Sequence, residues 1–412
     1  MRLFTPVIAL AGAAMLSAAA PPPRSAPHWV GSWASGQQVP EPHNALPAED
    51  MTDATLRQVV RISIGGTRVR VRFSNAFGTS PLVIDAAHLA RAASPASAAI
   101  LPGSDRPLTF DGRPGVVVPA GADYWSDPVE LSTPPLTSLT VSLHMPQAPD
   151  RQTGHPGSRA TSYYVHGDHA ADPDLPGART IEHWYALAGI EVEGAPGAAA
   201  IVALGDSITD GHGATTNGDD RWPDDLARRL QADPATRGVA VLNQGIGGNR
   251  LLQDGLGPNA LARFNRDVLA QSGVRAVILL EGINDLGTLT RDRPASAAEH
   301  DRLVQAMIAA YRQMIERAHA HGIKVIGATI TPDGGSDYYH PDAANEADRQ
   351  AVNRWIREPG HFDAVVDFDA VVRDPADPRR MLATFDSGDH LHPSAAGYRA
   401  MAAAIPLRLF AR

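Results

Sequence analysis

The chain has no cysteine, and that absence removes disulfides, cysteine-ligated zinc and thiol catalysis together. Its fold must stand on packing alone. Other absences narrow the function. No basic stretch offsets a formal net charge of -9, which argues against nucleic acid or an anionic membrane surface as the main partner. Past the first twenty residues, no segment approaches the length of a membrane-spanning helix. No internal repeat stands out. The histidines lack metal-ligand spacing such as His-Glu-x-x-His, so the reading calls for no metal and no cofactor.

What is present is enough for an ordered, two-domain protein. The 412 residues are 43% hydrophobic and 20% charged, too long for one ordinary domain and too apolar for global disorder. The chain opens with Met1-Arg2, a mostly apolar run from Leu3 to Leu16, and Ser17-Ala18-Ala19-Ala20. A short positive start, an apolar middle and a small-residue end are the pattern of a secretory signal peptide. Residues 1–20 are therefore expected to direct the chain to a secreted or periplasmic location. Pro6 and the following Pro21-Pro22-Pro23 argue against a membrane anchor.

Residues 28–193 read as β-rich. Val59 to Ile64 and Thr67 to Phe73 alternate apolar and polar side chains around Gly65-Gly66, which predicts a hairpin with a two-glycine turn. Val69, Val71 and Phe73 would face inward, and Arg68, Arg70 and Arg72 outward. Leu139 to Leu143 repeats the period of two, and Val116 to Val118 could add another strand. The expected result is a β-sandwich of jelly-roll type. Glu193 to Gly197 reads as a linker. Over residues 198–412 strand-like runs alternate with helical ones. Apolar runs at Ala199 to Leu204, Val239 to Leu242, Ala276 to Glu281, Lys324 to Ile330 and Ala364 to Phe368 predict strands. Ala297 to His321, Ala343 to Ile356 and Ser394 to Ile405 predict helices. That alternation predicts a doubly wound, flavodoxin-like α/β domain with a parallel sheet.

In such sheets ligands bind outside the carboxyl ends of the strands. Gly205-Asp206-Ser207 sits where the run Ala199 to Leu204 ends, which makes Ser207 a candidate nucleophile. Asp389-His390-Leu391-His392, near the other end of the chain, could supply a base and the carboxylate that orients it. Read alone, Gly205-Asp206-Ser207 could equally be a helix cap.

Together with Asn243-Gln244-Gly245-Ile246-Gly247-Gly248 and Gly282-Ile283-Asn284-Asp285, these blocks resemble the GDSL or SGNH hydrolases. All four stand in the family's order. The resemblance implies that Ser207 is the nucleophile, His392 the general base and Asp389 the acid that orients it. It implies an oxyanion hole made of the Ser207 and Gly248 backbone N–H groups and the Asn284 side chain. Where the family often has serine before the oxyanion glycine, this chain has Gly247. The chemistry agrees with these assignments: a serine hydroxyl needs an adjacent imidazole to take its proton, and His392 three positions after Asp389 can share one turn with it. Asp206 and Asp285 read as structural, and His390 as structural or pocket-lining. Ser207 has no Gly-x-Ser-x-Gly elbow around it, which disfavours a standard α/β-hydrolase.

The front half more loosely resembles the β-rich region of family members similar to xylan acetylesterases. Trp29-Val30-Gly31-Ser32-Trp33 and Phe73-Ser74-Asn75-Ala76-Phe77-Gly78 carry that likeness. The expected activity is that of a serine esterase acting on a small-molecule or polysaccharide ester, removing O-acetyl or other short acyl groups from carbohydrate. Two alternatives stay open: a lipase or lysophospholipase, and a carbohydrate-binding protein with a vestigial hydrolase domain. The lack of an obvious apolar lid slightly favours short acyl chains.

Overall fold

Five apolar segments of the back half assemble side by side into a single parallel sheet. A computed structural model describes residues 28–411; the predicted signal peptide lies outside them. In spatial order the strands are Val239–Gly245, Ala199–Gly205, Val274–Leu280, Lys324–Ala328 and Ala364–Val366. This is the doubly wound order 2-1-3-4-5 of flavodoxin-like sheets. Ala199–Gly205 is flanked on both sides and all its residues are buried, which explains why it reads as a continuous apolar run. The predicted strands and helices of this half all form, with ends shifted by a few residues.

The helices bury one stripe each. In Ala297–His319 the buried side chains include His300, Val304, Met307, Tyr311, Met314 and Ala318, spaced three or four apart. Its start is set by a capping box in which Ser296 and Glu299 satisfy each other's backbone N–H. Asp342 caps Ala343–Arg357 by accepting from the N–H groups of Ala344 and Asn345.

The front half holds a five-stranded and a six-stranded antiparallel sheet, besides two short pairs. Its order differs from the sequence reading at one place. The expected hairpin around Gly65-Gly66 does not form. Ala54–Arg61 pairs with Ser138–Met145 and Ser162–His166 in one sheet. Gly66–Ser74 pairs with Leu187–Glu193, Asp123–Trp125 and Val129–Thr133 in the other. The chain crosses between sheets at 62–65, and Gly65 is needed for close approach: a Cβ there would lie 2.1 Å from the Thr133 carbonyl oxygen. The inward face of Gly66–Ser74 is as expected, with Val69, Val71 and Phe73 fully buried. Its arginine face is partly covered too. Arg70 lies over the rings of Trp29 and Trp125 and bonds Glu191. Arg72 is buried and donates to Gln271 Oε1 of the back half at 2.9 Å.

The two halves share one hydrophobic cluster. Strand Trp29–Ala34 packs on Val239–Gly245. The Ser63 hydroxyl donates to the Val241 carbonyl at 2.8 Å, and the Gly31 N–H donates to Ser272 O at 3.0 Å. Among the described residues, no helix is long and apolar enough to cross a membrane.

Candidate active site

Ser207 and Asn284 stand at the topological switch point, because one follows the first strand of the sheet and the other the third. Ser207 opens the short helix Ser207–Asp210, where the first N–H groups have no acceptor within the helix. Asp206 caps that helix, its Oδ1 accepting from the Ile208 N–H at 2.9 Å. Burial pushes its carboxyl up to about 7, against the pull of that hydrogen bond.

The other end of the chain returns to this point. His392 Nε2 lies 2.8 Å from Ser207 Oγ, and His392 Nδ1 lies 2.6 Å from Asp389 Oδ2. A carboxylate only accepts, so the ring hydrogen sits on Nδ1 and the Nε2 lone pair faces the serine. Asp389 is fixed in turn: its Oδ1 accepts from the backbone N–H groups of Leu391 and His392 at 3.0 and 2.8 Å. Partial burial works to raise its pKa, yet these bonds and the ring of His392 hold the carboxyl well below the usual carboxylate range. His390, one residue away, turns elsewhere and bonds Asp386 at 2.6 Å.

Gly248 has φ +68°, a left-handed conformation, and a Cβ there would meet Leu256 Cδ1 at 2.4 Å. Both the backbone and the space therefore call for glycine. The Asn284 amide is oriented from two sides. Its Nδ2 donates to the Asn249 carbonyl at 2.6 Å, and its Oδ1 accepts from the Tyr339 hydroxyl at 2.6 Å. The carbonyl can only accept, which settles which amide atom is nitrogen and leaves its second hydrogen for a ligand. Asp285 is structural, as expected: its two oxygens accept from the N–H groups of Leu251 and Leu252 at 2.7 and 3.0 Å. Ser207, Gly248, Asn284, Asp389 and His392 all line one cleft of about 870 Å³.

Beneath the cleft lies Arg263, fully buried, which the sequence reading did not single out. It donates to Asn249 Oδ1 and to the carbonyls of Gln244 and Gly205, at 2.9, 2.7 and 2.9 Å. Asp267 balances its charge at 2.9 Å, while Glu281, whose carboxyl burial pushes well above its usual range, lies 3.4 Å from it. One guanidinium thus ties the ends of two strands to the loop behind Gly248.

Two more unforeseen residues, His212 and Arg159, stand near His392. The His212 ring centroid is 4.0 Å from that of His392, and its Nδ1 accepts from Arg159 Nη2 at 3.1 Å. Partial burial, then the neighbouring His392 and Arg159, push the His212 imidazole down to about 4. His212, Asp389 and His392 bring three ligand-type atoms within 4.8 Å of one another. Two ligands on a tetrahedral zinc, each about 2.0–2.1 Å from it, would stand roughly 3.4 Å apart. The 2.6 Å between His392 and Asp389 is a hydrogen-bond length instead.

Residues 203–400 match the family model described as GDSL-like Lipase/Acylhydrolase family. No curated protein matches the chain. Among solved structures, an acetylxylan esterase from Geobacillus stearothermophilus is similar at 24% identity and TM-score 0.38, over 52% of this chain and 94% of that one. A GDSL-like lipase from Bacteroides thetaiotaomicron is similar at 21% identity and TM-score 0.37, over 51% of this chain and 87% of that one. An alpha/beta hydrolase from the metagenome of Lake Arreo, Spain, is similar at 23% identity and TM-score 0.37, over 50% and 92% respectively.

Proposed function

Residues 203–400 of this carboxylic ester hydrolase belong to the GDSL-like lipase/acylhydrolase family, and from that premise we propose that it is an exported serine esterase removing short acyl groups from carbohydrate. In this reading Ser207 Oγ attacks the ester carbonyl as His392 Nε2 takes its proton. Asp389 holds the ring and stabilises the imidazolium that forms. The N–H groups of Ser207 and Gly248 and the Asn284 amide receive the developing oxyanion. His392 then protonates the leaving alcohol, and water frees the acyl group from Ser207 in a second half-reaction. The observation that carries the reading is the unbroken chain from Ser207 Oγ through His392 to Asp389, at 2.8 and 2.6 Å.

The carbohydrate alcohol rests on the front half. Its β-rich segments, proposed to form a jelly-roll-like sandwich over residues 28–193, send Glu41, His43, Asn44, Arg159 and Glu182 to the cleft lining. Such hydrogen-bonding side chains suit a hydroxylated alcohol better than a long acyl chain. Tyr338, 57% exposed and also lining the cleft, offers a ring face to a sugar. Export rests on the signal-like pattern of residues 1–20.

A panel of acetylated polysaccharides, with released acetate as the readout, tests the substrate, alongside p-nitrophenyl esters of increasing chain length. Fastest turnover of acetyl esters and acetate release from polysaccharide is expected. Preference for long-chain esters or phospholipids would replace this reading with a lipase or lysophospholipase. Glycan binding with no detectable hydrolysis would replace it with a vestigial hydrolase.

A further inference from the structure

The loop that carries Gly248 is held from the other half of the chain. His155 belongs to the short strand Gly154–His155, paired with Trp184–Tyr185, and is only 3% exposed. Three contacts pin its ring. Nδ1 donates to the Gly36 carbonyl at 2.8 Å. One face stacks on Trp184, with centroids 5.6 Å apart. Nε2 shares a proton with Asp210 Oδ1 at 2.9 Å. Asp210, also 3% exposed, ends the helix that Ser207 begins. Its second oxygen accepts from the Gly247 N–H at 3.1 Å. That N–H lies one residue before the proposed oxyanion donor.

We infer that His155 is a positioning residue for the oxyanion hole, acting through Asp210 on the Gly247 N–H to hold the loop that presents the Gly248 N–H. The inference rests on the proposed roles of Ser207 and Gly248. Its physical basis is that an oxyanion donor must be aimed before the reaction, since a misplacement of about 1 Å can cost on the order of 100-fold in rate. A carboxylate this deeply buried needs partners for both oxygens. Without His155, Asp210 must turn toward another donor or toward water, and the Gly247 N–H loses a fixed acceptor. The front half would then be part of the catalytic device, and not merely a wall of the cleft.

The test compares His155→Ala, Asp210→Ala and Asp210→Asn in the full chain. Asp210→Asn is the informative control. Its amide oxygen can still accept from Gly247, and its NH₂ can donate to Nε2 of a neutral His155. The readouts are kcat and KM on p-nitrophenyl acetate, the affinity for a boronic acid that forms a tetrahedral adduct on the nucleophile, and Tm. His155→Ala and Asp210→Ala should lower kcat by about 10- to 100-fold, with KM changed less than about threefold. Boronic acid affinity should fall in parallel with kcat. Asp210→Asn should recover at least about tenfold over Asp210→Ala. Wild-type kcat in a folded His155→Ala or Asp210→Ala protein overturns the inference. So does a fall in kcat with no loss of boronic acid affinity, or an Asp210→Asn protein as impaired as Asp210→Ala. If His155→Ala does not fold, the Asp210 pair decides alone. Failure of the underlying site would show separately, as Ser207→Ala keeping its activity.

Discussion

Tyr339→Phe removes a single oxygen, and the structure says how far its effect should travel. The hydroxyl donates to Asn284 Oδ1 at 2.6 Å. Burial raises the phenol above its ordinary pKa, so it stays a donor throughout the assay range. Asn284 keeps its second tether, Nδ2 to the Asn249 carbonyl at 2.6 Å, so the amide is loosened but not released. One neutral hydrogen bond is worth about 0.5–1.5 kcal/mol, which corresponds to a roughly 2- to 13-fold fall in kcat. Asn284→Ala removes the proposed oxyanion donor itself and should cost about 2.7–4 kcal/mol, or roughly 100- to 1000-fold. Because Tyr339 acts through Asn284, the double variant should be no slower than Asn284→Ala alone. The coupling energy then equals the whole effect of Tyr339→Phe. The assay is kcat on p-nitrophenyl acetate for the wild type, both single variants and the double. An equal fold-loss from Tyr339→Phe in both backgrounds would show that the hydroxyl acts on substrate or fold directly, and not through Asn284.

Three further outcomes follow from shifted or paired ionisable groups. Burial raises Asp333 to about 6, so its contribution to stability is complete below the unfolded pKa of about 3.9 and is lost as pH rises through 6. Asp333→Asn should gain about 3 kcal/mol relative to wild type between pH 4 and pH 8; a difference in Tm that does not vary with pH contradicts this. His212, pushed down to about 4, has the opposite slope, with its contribution full above about 6.5 and lost as pH falls toward 4. Tm should therefore drop more steeply on acidification in wild type than in His212→Asn, and parallel curves would speak against it. Arg263→Leu leaves Asp267 with Arg266 alone as its charge partner and strips the Gln244 and Gly205 carbonyls of their donor, and should cost about 3–5 kcal/mol in urea unfolding; a loss below about 1 kcal/mol would deny Arg263 its role at the strand ends.

The parallel sheet was legible because its strands are buried on both faces, so each is written as an apolar run. The front half was legible strand by strand, but its pairing was not. Residues 59–64 and 67–73 alternate as hairpin arms do, yet alternation records which face is buried and says nothing about the neighbouring strand. Only long-range packing sends Ala54–Arg61 and Gly66–Ser74 to different sheets. In the candidate site, Ser207, Asp389 and His392 announced themselves by local context, at a strand end and within one turn. His155, Arg159, Arg263 and Tyr339 did not. Each acts on a partner remote in sequence: His155 bonds a residue 55 positions away, as Tyr339 does. A lone histidine or arginine in a loop has no spacing that marks it. His212 was the nearest to being found, since it follows the Gly205-Asp206-Ser207 block closely.

In the proposed reaction Ser207 Oγ, its proton taken by His392, is the atom that carries the acyl group. Treating the protein with one equivalent of an organophosphate and locating the adduct by peptide mass spectrometry tests it most directly. One phosphoryl group on Ser207 is expected, with activity lost in proportion, and no labelling of Ser207 in His392→Ala on the same timescale. A stoichiometric adduct on any other side chain, or full activity in a protein labelled at Ser207, would contradict it.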